Sequence, residues 1–261
     1  MRSLDIAASG MQAQQLYVDV TSQNLANINT TGYKQERPEF QDLLYQNIRR
    51  VGANSSDGGT IVPTGIQLGL GVKLAAVYRN VGQGTMQPTE NPLDLGIQGK
   101  GYLQITQPTG EVAYTRSGAL QLSPDGNIVT ADGFELEPAI TIPQNATGIS
   151  INQSGEVSVT IQGQIDPSVV GQIQTVNFIN EAGLQAIGNN LYTETAASGS
   201  PVTGTPGADG FGTILQGFLE SSNVNPVSEL TNLIKAQRVY EMNSKVVSKS
   251  DEMLQSLNQS V

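Results

Sequence analysis

Two sets of apolar side chains that repeat every seven residues, one at each end of the chain, restrict the possible folds more than any other feature. The first set consists of Leu4, Met11, Val18 and Leu25, with Ile28 in a companion position. The second set consists of Leu233, Tyr240, Val247, Leu254 and Val261. A seven-residue apolar repeat predicts an α-helix with a narrow seam that another helix has to cover.

The first repeat lies on a helix predicted from about residue 3 to residue 26, and Gly32 is the expected left-handed residue that ends it. Asn24 and Asn27 flank this end, and we expect them to form caps or turns rather than to bind a ligand. The second repeat lies on a helix predicted over residues 226–258, because an Asn-Pro pair supplies a favourable N-cap and first helical position.

These helices have two interpretations. In one, both are ordinary amphipathic helices packed on a single globular core. In the other, they form a coiled coil shared between chains, which their terminal positions favour, because chain ends are poorly ordered unless something holds them. A mostly polar row beside the second seam also favours the coiled coil, and it consists of Leu230, Gln237, Ser244, Asp251 and Asn258. We expect the coiled coil.

Between the helices, the apolar pattern changes to a period of two from about residue 66. Short alternating stretches separated by Gly-containing turns predict an antiparallel sandwich or barrel. The expected strands are residues 102–106, 112–115, 119–122, 128–130, 134–136, 149–151, 157–161, 173–178 and 215–220. Residues 38–50 fit either a helical turn or an extended arm, and residues 51–65 and 196–213 are predicted to be loops.

The fold class expected is therefore α+β, with long terminal helices in a coiled-coil domain and a central antiparallel, sandwich-like or barrel-like β domain. Residues 1–33 and 225–261 would form the coiled-coil domain, and residues 76–213 the β-rich outer domain. Residues 34–75 and 214–224 would form an extended connecting region, with an insertion at about residues 52–71.

Charge and composition exclude several functions. The formal net charge of −10 argues against a nucleic-acid partner and against an anionic membrane surface. The absence of Cys and His removes thiol chemistry and the commonest general base and metal ligand. No stretch approaches the roughly 20 apolar residues of a membrane-spanning helix, and no apolar signal-peptide core follows the N-terminus.

Three short stretches that superficially suggest chemistry have simpler explanations. The glycines at 96–101 lack the order of a phosphate-binding loop, and they predict backbone segments that cross closely. Residues 124–127 lack the further ligands of a calcium loop and fit a hairpin turn. Ser117 lacks a nucleophile-elbow context. We therefore expect no enzyme activity, no cofactor and no metal.

Several stretches resemble the signature sequences of bacterial flagellar rod and hook proteins. These stretches are residues 24–34, 91–102, 114–118, 125–130, 219–225 and 237–241. In the first of them, the resemblance is carried by Asn24, Leu25, Asn27, Gly32 and Tyr33. Residues 40–46, 52–71 and 137–143 are more similar to the distal rod members than to the proximal rod or hook members.

This resemblance implies a structural subunit of a straight, rigid, hollow tube that crosses the periplasm and transmits torque from the motor to the hook. The implied partners are further copies in a helical homopolymer, the proximal rod and hook proteins, the surrounding L- and P-ring proteins, and the flagellar type III export apparatus. Export by that apparatus would require no cleaved signal peptide. Residues 52–71 would lean on a neighbouring subunit and keep the tube straight.

Three alternative functions are also compatible with parts of the sequence. A hook or proximal-rod relative would share the architecture and differ mainly in residues 40–71. A secreted β-rich binding module would require an aromatic platform, which the absence of Trp and an aromatic content of 5% disfavour. An enzyme would require a catalytic constellation that the residues do not suggest.

Overall fold

The computed structural model describes residues 2–49, 64–164 and 166–259. Residues 52–63 of the expected insertion, and Val261 of the second repeat, lie outside the described residues. The described chain begins with helix α1 (Arg2–Ala26) and ends with helix α2 (Pro226–Gln259). Both helices therefore lie within one residue of their predicted bounds.

The strands between the helices are short. They are β1 (Glu36–Asp42), β2 (Tyr45–Arg49), β3 (Ile66–Gly69), β4 (Val72–Arg79), β5 (Met86–Pro88), β6 (Leu95–Gln98), β7 (Tyr102–Thr106), β8 (Val112–Thr115), β9 (Leu120–Leu122), β10 (Ile128–Thr130), β11 (Glu135–Glu137), β12 (Ala146–Ile151), β13 (Glu156–Ile161), β14 (Ser168–Gln172), β15 (Thr175–Asn177), β16 (Gln185–Gly188), β17 (Leu191–Thr193), β18 (Val202–Gly204), β19 (Thr213–Gln216) and β20 (Phe218–Glu220). One 3₁₀ turn covers Glu181–Gly183. The fold class is α+β, with a helix at each end and an antiparallel β-rich centre, as predicted.

The contacts divide the chain into two compact units. The helical unit comprises residues 1–25, 36–78 and 226–261, and the β unit comprises residues 26–35 and 79–225. Each unit is assembled from segments far apart in the sequence. Tertiary contacts, rather than local sequence, therefore hold each unit together.

The largest element of the β unit is a nine-stranded antiparallel sheet. Its main order is β16-β17-β8-β7-β11-β10-β9, and β15 and β18 extend from β7. Strand β7 divides one edge between two neighbours, since Gln104 pairs with Glu137 of β11 and Leu103 pairs with Thr175 of β15. A three-stranded sheet, β12-β13-β14, and the pairs β19-β6 and β20-β5 complete the unit.

The β unit has a conventional apolar core. Its buried members are Leu95, Ile97, Leu103, Ile105, Ala113, Leu120, Ile128, Leu136, Ile140, Ile142, Ile151, Val157, Val159, Ile173, Leu191 and Ile214. A second buried cluster contains Tyr102, Tyr114, Phe178 and Tyr192, whose rings meet edge to face at centroid distances of 4.8–6.0 Å. These side chains provide most of the hydrophobic stabilisation of the unit.

Several strand predictions are confirmed, and one predicted loop contains a short strand. The strands at 102–106, 112–115 and 128–130 have their predicted bounds. Residues 196–213, predicted to be a loop, include β18, which pairs with β15. Strand β18 is only three residues long and contains Thr and Gly, so it carries no apolar alternation that a sequence pattern could show.

In the helical unit, α1 lies beside extended chain as well as beside α2. The backbone N–H of Val72 donates a hydrogen bond to the hydroxyl of Ser9 at 3.3 Å. Ala13 and Leu16 line an open groove of about 470 Å³ with Leu43 and Val72.

Of the two possibilities for residues 38–50, the extended one is confirmed, because β1 and β2 occupy this region. In the described parts of the chain, neither helix is both long enough and apolar enough to cross a membrane.

Gly118 allows a close approach of two backbone segments in the β unit. A Cβ atom at this position would lie 1.7 Å from the carbonyl oxygen of Leu95. The same two residues are joined by a backbone hydrogen bond, from the N–H of Leu95 to the carbonyl of Gly118, at 2.9 Å. Any side chain would therefore push apart the segments that this bond holds together.

Replacing Gly118 with Ala should lower the free energy of unfolding by roughly 2–4 kcal/mol, because the methyl group has no space beside Leu95. Urea unfolding followed by circular dichroism measures this change. The matched control is Gly148→Ala, because a Cβ there meets nothing closer than 4.0 Å. Equal unfolding midpoints for the two variants would contradict this account of Gly118.

Candidate functional site

The two terminal helices meet along a row of small and polar residues. The hydroxyls of Ser3 and Ser250 lie 3.4 Å apart. A Cβ on Gly10 would lie 2.8 Å from the amide nitrogen of Asn243, so the helix backbone approaches that side chain closely. Steps of seven residues forward along α1 match steps of seven backward along α2. The helices are therefore antiparallel, and small residues allow them to lie close together.

Asn24 connects three elements at the end of this row. Its amide nitrogen donates to Glu229 Oε2 of α2 at 3.2 Å. The same side chain pairs with the backbone of Glu36 in β1, accepting from its N–H at 2.9 Å and donating to its carbonyl at 2.8 Å. Asn24 and Glu229 are both buried, with 1% and 3% exposure. Asn24 therefore holds α1, β1 and α2 together, a role beyond the predicted cap or turn.

The predicted apolar seams lie beside this polar row. Leu4, Met11, Val18, Leu25, Leu233, Val247 and Leu254 are half-buried, and Tyr240 is 43% exposed. Ile28 lies beyond the end of α1 and is also half-buried. Among the α2 residues whose burial the structure describes, the fully buried ones are instead Glu229, Ala236 and Ser250. The seam residues thus flank the line of closest helix contact.

A further apolar row on α2 is not among the predicted seam residues. It contains Val239, Val246 and Met253, again seven residues apart, and the last two are 47% and 56% exposed. This row was detectable, because its spacing is the same as that of Tyr240, Val247 and Leu254. The prediction took only one apolar position from each heptad, and it therefore missed the second apolar row beside the first.

In the β unit, the remaining residues of the first signature stretch lead into a buried ion cluster. Asn27 accepts a hydrogen bond from the Thr30 hydroxyl at 3.0 Å, which forms the predicted turn. Gly32 has the predicted positive φ of 69°, but it lies six residues beyond Ala26 and so does not form the cap that ends α1. Its N–H donates to the carbonyl of Glu220 at 2.8 Å. Tyr33 is half-buried and accepts a hydrogen bond at its carbonyl from the N–H of Asn223 at 3.4 Å.

The ion cluster consists of Lys34, Arg116 and Glu220. Each oxygen of the Glu220 carboxylate lies 2.6 Å from one cation, Oε1 from the Lys34 ammonium and Oε2 from the Arg116 Nε. The three side chains are at most 4% exposed. They come from the beginning, middle and end of the chain. The cluster therefore joins three distant segments of one unit.

Two cations face one carboxylate, and backbone oxygens solvate the excess positive charge. The Arg116 guanidinium donates to the carbonyls of Ile97 at 2.9 Å and Gly99 at 2.6 Å, and also to that of Gly101. Lys34 donates to the carbonyl of Gly82 at 3.0 Å. Such bonds are needed because a buried charge without partners is strongly unfavourable.

The cluster changes the protonation behaviour of its members. Burial alone would raise the pKa of the Glu220 carboxyl, but Arg116 and Lys34 outweigh burial and lower this pKa below its ordinary value of 4.5. Burial lowers the pKa of the Lys34 ammonium, and the hydrogen bond to Glu220 only partly offsets that effect. Glu220 is therefore held ionised by its partners.

Within residues 2–49, 64–164 and 166–259, no group of three or more acidic side chains is placed to hold a metal ion. A Cβ on Gly99 would lie 3.0 Å from the Cα of Gly212, which agrees with the predicted close backbone crossing. The arrangement is suited to connecting chain segments and helices.

Three sequence families match this chain. Residues 4–34 match the family described as Flagella basal body rod protein, and residues 96–159 match the Flagellar hook protein FlgE/F/G D1 domain. Residues 215–260 match the Flagellar basal body rod FlgEFG protein C-terminal. These matches include the segments that contribute both terminal helices and all three members of the ion cluster.

Similar proteins match over almost their entire length. The chain is 58% identical to the flagellar basal-body rod protein FlgG of Caulobacter vibrioides over 259 residues, which is 99% of each chain. It is 48% identical to FlgG of Buchnera aphidicola subsp. Acyrthosiphon pisum over 98% of each chain, and 48% identical to FlgG of Agrobacterium fabrum over 97% of each. These relatives are flagellar rod proteins rather than enzymes.

Replacing Asn24 with Ala should lower the free energy of unfolding of the helical unit by roughly 1–3 kcal/mol, because the backbone of Glu36 and the carboxylate of Glu229 lose the hydrogen bonds that Asn24 makes to them. Hydrogen exchange at the Glu36 amide measures the local effect, which should be a faster exchange rate. Ser22→Ala, at an exposed position of the same helix, is the control. Unchanged exchange in the Asn24 variant would show that Asn24 does not connect these elements.

The stability of the β unit should decrease in acid. Because the folded pKa of Glu220 is depressed, its ionised form stabilises the fold fully above about pH 4.5, and this contribution is lost as the pH falls through the folded pKa. Glu220→Gln should cost roughly 3–5 kcal/mol at neutral pH, because two buried cations lose their counter-charge.

The measurement is urea unfolding between pH 3 and pH 7, conditions chosen to bracket the ordinary pKa of 4.5. The wild-type chain should lose stability toward the acid end, and Glu220→Gln should show a weaker pH dependence. Glu111→Gln, at an exposed position, should behave as the wild type. If the Glu220→Gln variant showed the wild-type pH dependence, ionisation of Glu220 would not be the cause of the loss of stability in acid.

Proposed function

This chain belongs to the FlgG family of flagellar basal-body rod proteins, and we propose that its terminal helices polymerise it into the distal rod. It is a structural subunit of the flagellar distal rod, a straight and rigid hollow tube that transmits torque from the motor to the hook. The observation that carries the polymerisation step is the apolar surface that the paired helices leave uncovered.

That surface is large for a single chain. On α2, Val227 is 73% exposed, and Leu230, Ile234, Val246 and Met253 are 45–56% exposed. Exposed apolar surface of this extent marks a site of association. The seam positions Leu4, Met11, Val18, Leu25, Leu233, Tyr240, Val247 and Leu254 flank the same helix pair. We therefore propose that these rows pack against the helices of neighbouring subunits in a coiled-coil arrangement.

The paired strands β2 and β3 support a second contact with a neighbour. Leu44 is 83% exposed, Ile48 is 58% exposed and Ile66 is 50% exposed. A two-stranded pair with apolar side chains in solvent is marginally stable by itself. Strand β2 precedes the expected insertion at residues 52–71, and β3 lies within it. We propose that the insertion region leans on the adjacent subunit and stiffens the tube.

Identical subunits that stack without closing into a ring require heterologous contacts, in which two different surfaces meet. The exposed rows of α2 and the β2-β3 strands are two such surfaces of the helical unit. We propose that contacts of this kind produce a helical homopolymer. Burial of apolar side chains upon assembly would provide the driving force.

The family assembles into the rod with other flagellar proteins. We further propose that this subunit meets the proximal rod and hook proteins at the two ends of the tube, and the L- and P-ring proteins around it. The proposed location is the part of the basal body that spans the periplasm. The flagellar export apparatus would deliver the subunit there.

Replacing Val246 and Met253 together with Gln should reduce rod assembly about tenfold or more, because two apolar contacts between subunits are lost. Electron microscopy of basal bodies counts the rods, and swimming in soft agar reports their function. The control replaces exposed polar residues of the same helix, Lys245 and Ser248, with Gln. Wild-type rod numbers in the Val246 and Met253 variant would refute the proposed contact.

A further inference from the structure

The apolar repeats of the two terminal helices cannot determine how far one helix is shifted along the other. Leu4, Met11, Val18 and Leu25 recur every seven residues, and so do Leu233, Tyr240, Val247 and Leu254. A shift of seven residues places each apolar side chain next to another apolar side chain. Registers that differ by one heptad therefore have similar hydrophobic energies.

The small and polar row does distinguish these registers, because its members differ in size and in hydrogen bonding. Gly10 has no side chain, and the space beside its backbone holds the amide of Asn243. Fourteen residues along α1, Asn24 donates its hydrogen bond to the buried carboxylate of Glu229. By the same spacing, Tyr17 stands opposite Ala236, a buried residue of α2.

We propose that the contact of Gly10 with Asn243 and the hydrogen bond between Asn24 and Glu229 set the register in which the two terminal helices pair. These four residues act as positioning residues for assembly. A buried polar residue that allows only one pairing is an established way to select one register of a helix pair. The apolar rows stabilise the pairing of the two helices in several registers, and the polar row selects one of these registers.

Each shift by one heptad meets a specific penalty. One direction moves Asn243 from Gly10 to Tyr17, where the ring occupies the space, and moves Glu229 beyond the end of α1. The opposite direction moves Glu229 to Tyr17 and leaves Asn24 without its acceptor on α2. In both cases the Glu229 carboxylate loses the amide of Asn24. A buried acceptor that loses its donor is unfavourable, so both shifted registers are disfavoured.

This inference deepens the proposed function and rests on it, because the helices are examined in assembled rods. The register determines where the exposed rows of α2 lie relative to α1, and so which surface meets a neighbour. A shift of one heptad moves a side chain by roughly 10 Å along the helix axis. An error of that size would misplace every contact between subunits.

The test uses engineered cysteines, because the chain has no Cys of its own. Ser3→Cys with Ser250→Cys reports the observed register, since the two hydroxyls are 3.4 Å apart. Basal bodies isolated from cells are oxidised and analysed by non-reducing electrophoresis, in which an intrachain disulfide keeps the size of one chain. Ser3→Cys with Ser248→Cys is the control pair, because Ser248 is an exposed position of the same helix.

Further substitutions that should change the register are then added to the chain that carries Ser3→Cys and Ser250→Cys. Gly10→Asn should reduce the intrachain disulfide about fivefold or more, because the new side chain occupies the space of the Asn243 amide. Adding Asn243→Ala should restore cross-linking, because the space becomes available again. Ala8→Asn introduces the same side chain at an exposed position and should have little effect. Glu229→Ala should also reduce cross-linking, whereas Glu229→Gln, which keeps an acceptor for Asn24, should retain it.

The outcomes separate this inference from the proposed function. If the wild-type chain forms no rods, the polymerisation proposal is at fault. If rods form and Gly10→Asn and Glu229→Ala leave the disulfide unchanged, the connections of the helices to the rest of the chain set the register, and the inference is overturned. Loss of the disulfide in Gly10→Asn and its return with Asn243→Ala would support it.

Discussion

The contact between the two terminal helices is the interaction on which the assembly account depends. Gly10 allows the helix backbone to approach Asn243, and Asn24 supplies a buried hydrogen bond to Glu229 at the other end of the contact. Because the line of closest contact is made of small and polar groups, it uses little of the apolar surface of the helices. That surface stays available, and Val246 and Met253 remain about half exposed. A helix pair with this division of roles can pair within a subunit and still attract its neighbours.

In the β unit, buried ionic contacts hold together segments that are far apart in the chain. Lys34, Arg116 and Glu220 come from three regions that are far apart in sequence, and a single carboxylate binds both cations. A buried ion pair is not in itself a strong source of stability, but removing one partner leaves an unpaired buried charge. The cluster therefore penalises any arrangement in which one segment is displaced. For a subunit that transmits torque, resistance to such displacement is a useful mechanical property.

Local patterns in the sequence predicted much of the fold. The heptads and the Asn-Pro pair located both helices to within one residue, and alternation located strands such as Tyr102–Thr106. The predicted loop at 196–213 contains a strand that the prediction missed, because β18 is short and is stabilised by its pairing with β15. The cluster around Glu220 was not predictable from spacing, because its partners are separated by 104 and 186 residues. The small and polar helix row was also missed, because a search for apolar repeats does not register Gly10 or Asn243.

The central claim is that the exposed rows of the terminal helices are covered by neighbouring subunits. Hydrogen exchange of the amides in residues 226–259 tests it most directly, compared between the purified single chain and isolated rods. The account predicts rapid exchange along α2 in the single chain and strong protection in the rods, because packing against neighbours stabilises the helix. Equal protection in both samples would mean that α2 is already fully stabilised within one chain, and would contradict the account.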